Sequence, residues 1–243
     1  MAKLVAPMPI GRLSGKLGDL VFRNYPDKTV VSKRPSSFKP GSDIASVNRR
    51  KRFKLNSMFA KSVKEFPSAY ELWAKKTRNR MSAFNCIFKL NYDAIEHNDV
   101  LKYARIFPDS HFHVHPESFI LTKDYLHVSF SPADLNLAGY CDVKYLQVAV
   151  IIFCKESVVD IRDDFRFITH LSLPVKITNK GLISFSLALS NNEIINPEIP
   201  SLRDYQKSEL AFFNQHSVFL AFMTLDSNKN YVQNSQTLSI LNQ

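Results

Sequence analysis

A change of pattern after Phe107-Pro108 constrains the fold of this chain more than any other feature. Before this point apolar residues recur at helical spacing, and after it short β-branched and aromatic runs alternate with turn formers. About seven short antiparallel strands at this spacing predict a β-sandwich of immunoglobulin-like type. The candidate strands are SFIL, YLHVSF, KYLQVAVIIFC, FITHLSLPV, LISFSLAL, HSVFLAFMTL and YVQNSQTLSIL.

The preceding part of the chain predicts a β-hairpin followed by about three helices. The runs DLVFRN and KTVVSK flank the turn formers of NYPDK and so predict the hairpin, and RPSSFKPGS is typical of a linker. Ser42 or Asp43 is the expected cap of a long helix that Pro67 ends. Ser68 is the expected cap of a second helix, and a third helix is predicted from Met81 to about Ile95.

Together these patterns predict an α+β chain with two modules. Residues 1–107 are expected to form a basic hairpin-and-helix module, and residues 108–243 an antiparallel immunoglobulin-like β-sandwich. Because the strand pattern is self-contained and near neutral in charge, we expect residues from about 115 onward to fold alone as an all-β domain.

Positive charge is concentrated in the N-terminal third. The chain carries 32 Lys and Arg against 22 Asp and Glu, a net charge of +10. Residues 1–80 hold 19 of the basic and 5 of the acidic groups, so that 19 − 5 leaves +14 there and −4 in the remainder. Such segregation indicates a polyanion or an acidic protein surface as partner, and the alternative is a solvated basic face.

The basic side chains of this third are the candidate partner- or polyanion-binding residues. The five cations of the run NRRKRFK, from Arg49 to Lys54, span little more than one helical turn, so they wrap around the predicted helix. No recognised nucleic-acid-reading motif accompanies them, so any such binding would rely on backbone phosphates and be sensitive to salt. The candidates are Lys33, Arg34, Arg49, Arg50, Lys51, Arg52, Lys54, Lys75, Lys76, Arg78 and Arg80.

The stretch SGKLGDLVF is not expected to bind a nucleotide phosphate. A phosphate-binding loop needs four residues between its glycines, a hydroxyl residue after the lysine, and a helix behind it. Here three residues separate Gly11 from Gly15, Leu17 follows Lys16, and a strand follows in place of a helix. The glycines are expected to supply positive φ, or close backbone approach, at a bend that leads into the hairpin.

Two other runs resemble metal sites without meeting the requirements for one. In HFHVHP, His111, His113 and His115 would share one side of a strand, but only Glu117 is close by as a carboxylate. The acidic run DIRDDF matches no calcium loop, and we interpret Asp160, Asp163 and Asp164 as a charged turn. We therefore expect no metal and no other cofactor.

The cysteines suggest a reducing compartment, and the apolar runs predict no membrane span. Cys86, Cys141 and Cys154 are odd in number and lack paired spacing, so we expect buried thiols. No apolar run approaches the ~20 residues that span a bilayer, and the first residues do not resemble a signal peptide. We expect a protein of the cytoplasm, or of a virion if it is phage-encoded, without a membrane partner.

Several runs resemble a bacterial and phage-associated family of unknown function. The runs SGKLGDLVFRN, SKRPSS and NRRKRFKLNSMF are similar to its N-terminal Gly-Lys-x-Gly hairpin and basic helix. AFNCIFKLNYDAI resembles a later helix of that family, and HSVFLAFMTLDSNKNYVQNSQTLSI resembles its last two strands. The resemblance implies the same fold and leaves the activity open.

The absence of a recognisable nucleophile-base set in the sequence favours a binding role over catalysis. We expect a non-enzymatic structural or assembly protein that acts through protein partners or self-association, in a virion or another large assembly. The alternative is a sequence-nonspecific nucleic-acid-binding protein of nucleoid or packaging type that uses the basic N-terminal third.

Overall fold

The structure is a computed structural model, and its contacts divide the chain into two compact units, Met1–Val47 and Asn48–Gln243. It describes residues 2–4, 14–25, 28–34, 37, 40–77, 81–96, 99–121, 125–135, 143–157, 165–177, 183–188 and 213–242. Within this part the chain is α+β, with three α-helices and antiparallel sheets, as the sequence predicts.

The N-terminal unit contains a four-stranded antiparallel sheet in the order β1-β4-β3-β2. The predicted hairpin is confirmed as β3 and β4, which Tyr25 and Lys28 close through reciprocal backbone hydrogen bonds of 2.7 and 3.4 Å. Two further strands, absent from the sequence prediction, extend this hairpin on both sides. The strands are β1 (Ala2–Leu4), β2 (Gly15–Leu17), β3 (Leu20–Asn24) and β4 (Thr29–Lys33).

Two glycines allow β2 to turn directly into β3. Gly18 has a φ of +55° and occupies the first central position of the two-residue turn between Leu17 and Leu20. A type II′ hairpin turn requires positive φ at this position, which glycine adopts without steric cost. Gly15 has a φ of +109° at the start of β2. The positive φ predicted for these glycines is therefore confirmed, and Lys16 lies on a strand.

The three helices are α1 (Ile44–Lys64), α2 (Pro67–Lys76) and α3 (Ala83–Asn91), which a 3₁₀ turn at Tyr92–Ala94 extends. Asp43 caps α1 as predicted, because its Oδ2 accepts the backbone N–H of Ser46 at 2.8 Å. Ser68 does not cap α2; that helix begins at Pro67, which occupies its first turn. Proline is favoured there since the first helical N–H groups have no partner in the helix.

The rest of the Asn48–Gln243 unit forms two antiparallel sheets from the seven predicted runs. One sheet has the order β10-β6-β5, and the other has the order β12-β11-β7-β8 with β13 on β11 and β9 on β7. Two of the predicted runs each divide into two strands. The strands are β5 (Ser118–Leu121), β6 (Tyr125–Phe130), β7 (Tyr145–Ser157), β8 (Phe165–Leu171), β9 (Val175–Lys176), β10 (Ile183–Ala188), β11 (Phe213–Leu225), β12 (Tyr231–Asn234) and β13 (Leu238–Asn242).

The larger sheet is buried on both faces, because successive side chains of its central strands enter different cores. In β7, Val150 and Ile152 pack toward the smaller sheet, whereas Ile151 and Phe153 belong to a core shared with the helices. In β11, Phe219 and Ala221 lie in the helix-side core, and their neighbours Leu220 and Phe222 lie in the other. This unit therefore has three layers: helices, a central sheet and a smaller sheet.

The shared core argues against a module boundary after residue 107. Leu55, Phe59 and Trp73 of the helices are fully buried in the same cluster as Phe153 and Phe219 of the central sheet. The contacts divide the chain after Val47 and place the helical layer with the sandwich. The period-2 pattern of the strands identified the sheets correctly but carried no information on what covers their outer face.

Candidate partner-binding surfaces

Arg52, a candidate contact residue for a polyanion, is engaged within the chain. Its Nη2 donates to the carbonyl oxygen of Tyr92 at 2.6 Å, and its guanidinium lies 4.0 Å from the centre of the Tyr92 ring. It also forms an ion pair of 3.4 Å with Asp93. A cation at the C-terminal end of a helix is stabilised by the last carbonyl groups and by the helix dipole. Arg52 thus joins α1 to the end of α3.

Asn56 makes the next contact between α1 and the α3 region. It lies one turn after Arg52, is fully buried, and donates from Nδ2 to the carbonyl oxygen of Phe88 at 2.8 Å. Side chains four residues apart share a helix face, so Arg52 and Asn56 contact two successive turns of the α3 region. Phe53 lies on this side as well, with its ring 5.0 Å from that of Phe88 and 60% of its surface exposed.

Two candidate lysines also have partners within the chain. The ammonium of Lys54 lies 5.0 Å from the centre of the Phe165 ring on β8, and Lys76 forms an ion pair with Asp109. Each of these contacts joins the helical layer to a part of the chain beyond residue 107. These lysines, like Arg52, therefore contribute to packing within the Asn48–Gln243 unit, and their charge is only partly available to a partner.

The remaining candidates are divided between the two units. Arg49, Arg50 and Lys75 are exposed and Lys51 is half-buried, all in the Asn48–Gln243 unit. Lys33 and Arg34 are exposed in the N-terminal unit, where the backbone N–H of Arg34 donates to the carbonyl oxygen of Asp19 at 2.6 Å. Arg78, Arg80, Cys141, Asp160, Asp163 and Asp164 lie outside the described residues.

The N-terminal sheet has one apolar and one basic face, because paired residues on neighbouring strands point to the same side. Leu17 pairs with Leu20, and Phe22 pairs with Val31, so these four side chains share one face. Its ends are polar, with Lys33 opposite Leu20 and Asn24 opposite Thr29. The other face carries Lys16, Val21, Arg23, Val30 and Ser32.

The apolar face carries large side chains that are exposed. Leu17 is 67% exposed and Leu20 is 42% exposed. No side chain that the structure describes between residues 14 and 47 is fully buried. A small sheet needs an apolar face packed against something to be stable in water, so this face is a candidate partner-binding surface. The alternation that reveals this face is visible in the run LVFRN.

Backbone N–H groups of the histidine run HFHVHP hold it in place through hydrogen bonds. Phe112 and Val114 are buried while His111, His113 and His115 are exposed, as the alternation predicts. The N–H of His111 donates to the carbonyl oxygen of Asn234 at 2.9 Å, and that of His115 donates to Oδ2 of Asp134 at 2.8 Å. Among the residues that the structure describes, no three His, Cys, Asp or Glu side chains are placed to hold a metal ion.

A row of polar side chains on the smaller sheet was not identified from the sequence. Nδ1 of His127 lies 2.7 Å from Oγ of Ser186, and the hydroxyls of Ser118 and Ser129 are 2.7 Å apart. A serine beside a histidine is the first requirement for a nucleophile, but a third group to orient the base is also needed. No such group contacts His127 within the described part of the chain, and cross-strand hydrogen bonds of this kind stabilise sheets.

Comparisons of the chain with models of protein families, with curated proteins and with solved structures found no match. None of the helices in the described ranges is long and apolar enough to cross a bilayer. Cys86 and Cys154 are buried. The candidate surfaces therefore have to be interpreted from their own geometry.

Proposed function

We propose that this protein is a non-enzymatic structural or assembly protein that associates through the apolar face of its N-terminal sheet. The observation that carries the proposal is the exposure of Leu17 and Leu20 on a sheet without a core of its own. An assembly component gains from such a face because covering it both stabilises the sheet and joins two chains.

The partner that we propose for this face is a second copy of the chain. Two copies of one apolar face are self-complementary, so they can meet about a two-fold axis. The cations Lys16 and Arg23 lie on the opposite face, whereas Lys33 lies on the apolar face beside Leu20. Because Lys33 is exposed at the end of β4, the two copies would have to pack with this residue at the edge of the contact, where its charge stays in water. Two sheets packed in this way lie about 10 Å apart and interdigitate their inner side chains.

The small area of the sheet implies weak association. Four strands of at most five residues cover on the order of 300 Å² at about 4.8 Å between strands and about 3.4 Å per residue. A stable standard-sized interface buries about 800 Å² on each partner. We therefore expect dissociation constants of roughly 10 to 500 µM for one contact, and an assembly would gain affinity through many such contacts.

We also propose that the two stacked sheets form an immunoglobulin-like sandwich. The sheet β10-β6-β5 contains the first, second and sixth strands of this region, and the strands β7, β8, β11 and β13 belong to the other sheet. Immunoglobulin-like domains place strands A, B and E against C, F and G in a similar way, with C′ added beside C in variable-type domains. Sandwiches of this type are widespread in binding proteins, which agrees with an assembly role. The helical layer on the larger sheet is the departure from that pattern.

Nucleic-acid binding is the second candidate function, and the charge of +14 on residues 1–80 favours it. The contacts of Arg52, Lys54 and Lys76 within the chain weaken it, because a cation that already has a partner gains less from a phosphate. Packing of these side chains explains part of the basic cluster without a polyanion.

Sedimentation velocity of a Leu17→Ser/Leu20→Ser variant tests the assembly proposal. Each dimer of the variant would lack four leucine side chains that the contact partly buries. Full burial of one leucine stabilises a contact by about 1.5–3 kcal/mol. We expect the dissociation constant to rise by at least about a hundredfold, which leaves the variant monomeric at concentrations where the wild-type chain associates.

The matched control is Val21→Ser/Val30→Ser, which removes two apolar side chains from the same sheet on its basic face. This variant should associate as the wild-type chain does. Circular dichroism first establishes that both variants keep their strands. Given folded variants, equal retention of association, or equal loss of it, would refute the apolar face as the contact.

A further inference from the structure

A cleft of about 400 Å³ opens between the segment Tyr103–Ser110 and the residues Gln236 and Thr237. Tyr103 lines this cleft with a ring that is 53% exposed, whereas Phe107 and Pro108 are buried behind it and Arg105 and Ser110 are exposed and polar. Small-molecule sites typically have volumes of about 300–1,000 Å³ and combine an apolar floor with a few placed polar groups. The volume of the cleft lies at the small end of this range, and its lining combines the ring of Tyr103 with several polar side chains.

Side chains from three other elements hold the wall of the cleft in place. Nε1 of Trp73 donates to the carbonyl oxygen of Ile106 at 2.8 Å, and the N–H of Ile106 donates to Oγ1 of Thr237 at 2.9 Å. The buried Asn91 accepts the N–H of Arg105 at 2.7 Å and donates to its carbonyl oxygen at 3.2 Å. A wall fixed in this way loses little conformational entropy when a ligand binds.

The charges at the cleft leave one cation uncompensated. Asp109 forms its ion pair with Lys76, so these two charges offset one another. Arg105 lines the cleft with an exposed side chain, and no acidic group pairs with its guanidinium in the described part of the chain. The local excess of a single positive charge suits a ligand group that carries a single negative charge. A phosphate, which carries nearly two negative charges near neutral pH, would require more compensation.

We propose that this cleft binds a carboxylate that carries an apolar or aromatic substituent. The planar guanidinium of Arg105 offers two parallel N–H donors, which match the two oxygens of a carboxylate. The exposed ring of Tyr103, whose hydroxyl donates to the carbonyl oxygen of Asp93 at 2.7 Å, contacts the substituent. The proposal concerns a site within the Asn48–Gln243 unit and does not depend on association through the N-terminal sheet.

Titration of the whole protein followed by NMR tests this site directly. The probes are N-acetylphenylalanine, its neutral amide and inorganic phosphate, and the readout is the shift of the backbone amide signals of residues 105–110. We expect the acid to bind at least about tenfold more tightly than the amide, since a hydrogen bond to a charged group contributes more than a neutral one. A Gly-Ser-Gly-Phe peptide with a free C-terminus distinguishes a chain end from a free small acid as the source of the carboxylate.

Two variants, one at a residue that lines the cleft and one at a residue outside it, provide the control. Arg105→Gln keeps the backbone hydrogen bonds to Asn91 and should weaken binding of the acid by about tenfold or more. Lys102→Gln removes the same charge from an exposed neighbour outside the cleft and should leave the affinity within about twofold. Equal affinity for acid and amide, tighter binding of phosphate, or an unchanged affinity in Arg105→Gln would overturn the proposal.

Discussion

Replacing Phe59 by Ala tests whether the helices and the central sheet share one core. Phe59 of α1 is fully buried, and its ring forms edge-to-face contacts with Phe167 of β8 at 5.9 Å and Phe219 of β11 at 6.0 Å. Loss of a buried Phe costs about 3–5 kcal/mol, and each aromatic pair contributes about 0.5–1.5 kcal/mol beyond its buried area. We therefore expect the free energy of unfolding to fall by about 4–5 kcal/mol.

Urea unfolding followed by two probes measures this effect. Trp73 is the only tryptophan and is buried in the helical layer, so its fluorescence reports on the helices, while far-ultraviolet circular dichroism also reports on the sheets. The two transitions should coincide in the wild-type chain and shift together in Phe59→Ala. Phe53→Ala is the matched control on the same helix, and its exposed ring should contribute about 1 kcal/mol or less. Equal effects of the two variants, or separate transitions, would refute the shared core.

Three further predictions follow from individual contacts. Arg52→Gln should lower the free energy of unfolding by about 1–3 kcal/mol through loss of its bonds at the end of α3, whereas Lys51→Gln should change it by less than about 0.5 kcal/mol in the same urea assay. Burial lowers the pKa of His170 to about 4. The unfolded chain binds this proton already near pH 6.5, so the free energy of unfolding should fall by up to about 3 kcal/mol between pH 6.5 and 4. Thermal melts at several pH values measure this dependence, and His170→Gln should make it shallower. A fragment of residues 108–243 should bind a hydrophobic dye and lack a cooperative melt, because it exposes the helix-side core; a sharp melt would restore the predicted module boundary.

Local patterns in the sequence sufficed to locate most strands and helices. Turn formers and β-branched runs identify strands through short-range preferences, which do not depend on distant residues. The run KYLQVAVIIFC carried a further signal, since a nearly continuous apolar strand is typical of a sheet buried on both faces. That signal could have placed the helices against the central sheet, in place of a separate module.

The roles of the basic side chains could not be predicted in this way. The hydrogen-bond partner of Arg52 is forty residues distant in the chain, and Phe165, the ring beneath Lys54, is farther still. A run of cations has the same sequence signature whether it binds a phosphate or caps a helix. Only the packed structure distinguishes the two roles.

Light scattering of the wild-type chain tests the assembly proposal most directly. The sample is measured over about 10 to 500 µM protein, at low and moderate salt, with and without a short DNA duplex. The account predicts that the mass rises from the monomer value of 27.9 kDa toward twice that value, and that DNA leaves this rise unchanged. A constant mass of 27.9 kDa over the whole range, or a complex with DNA that dissociates as salt increases, would contradict it.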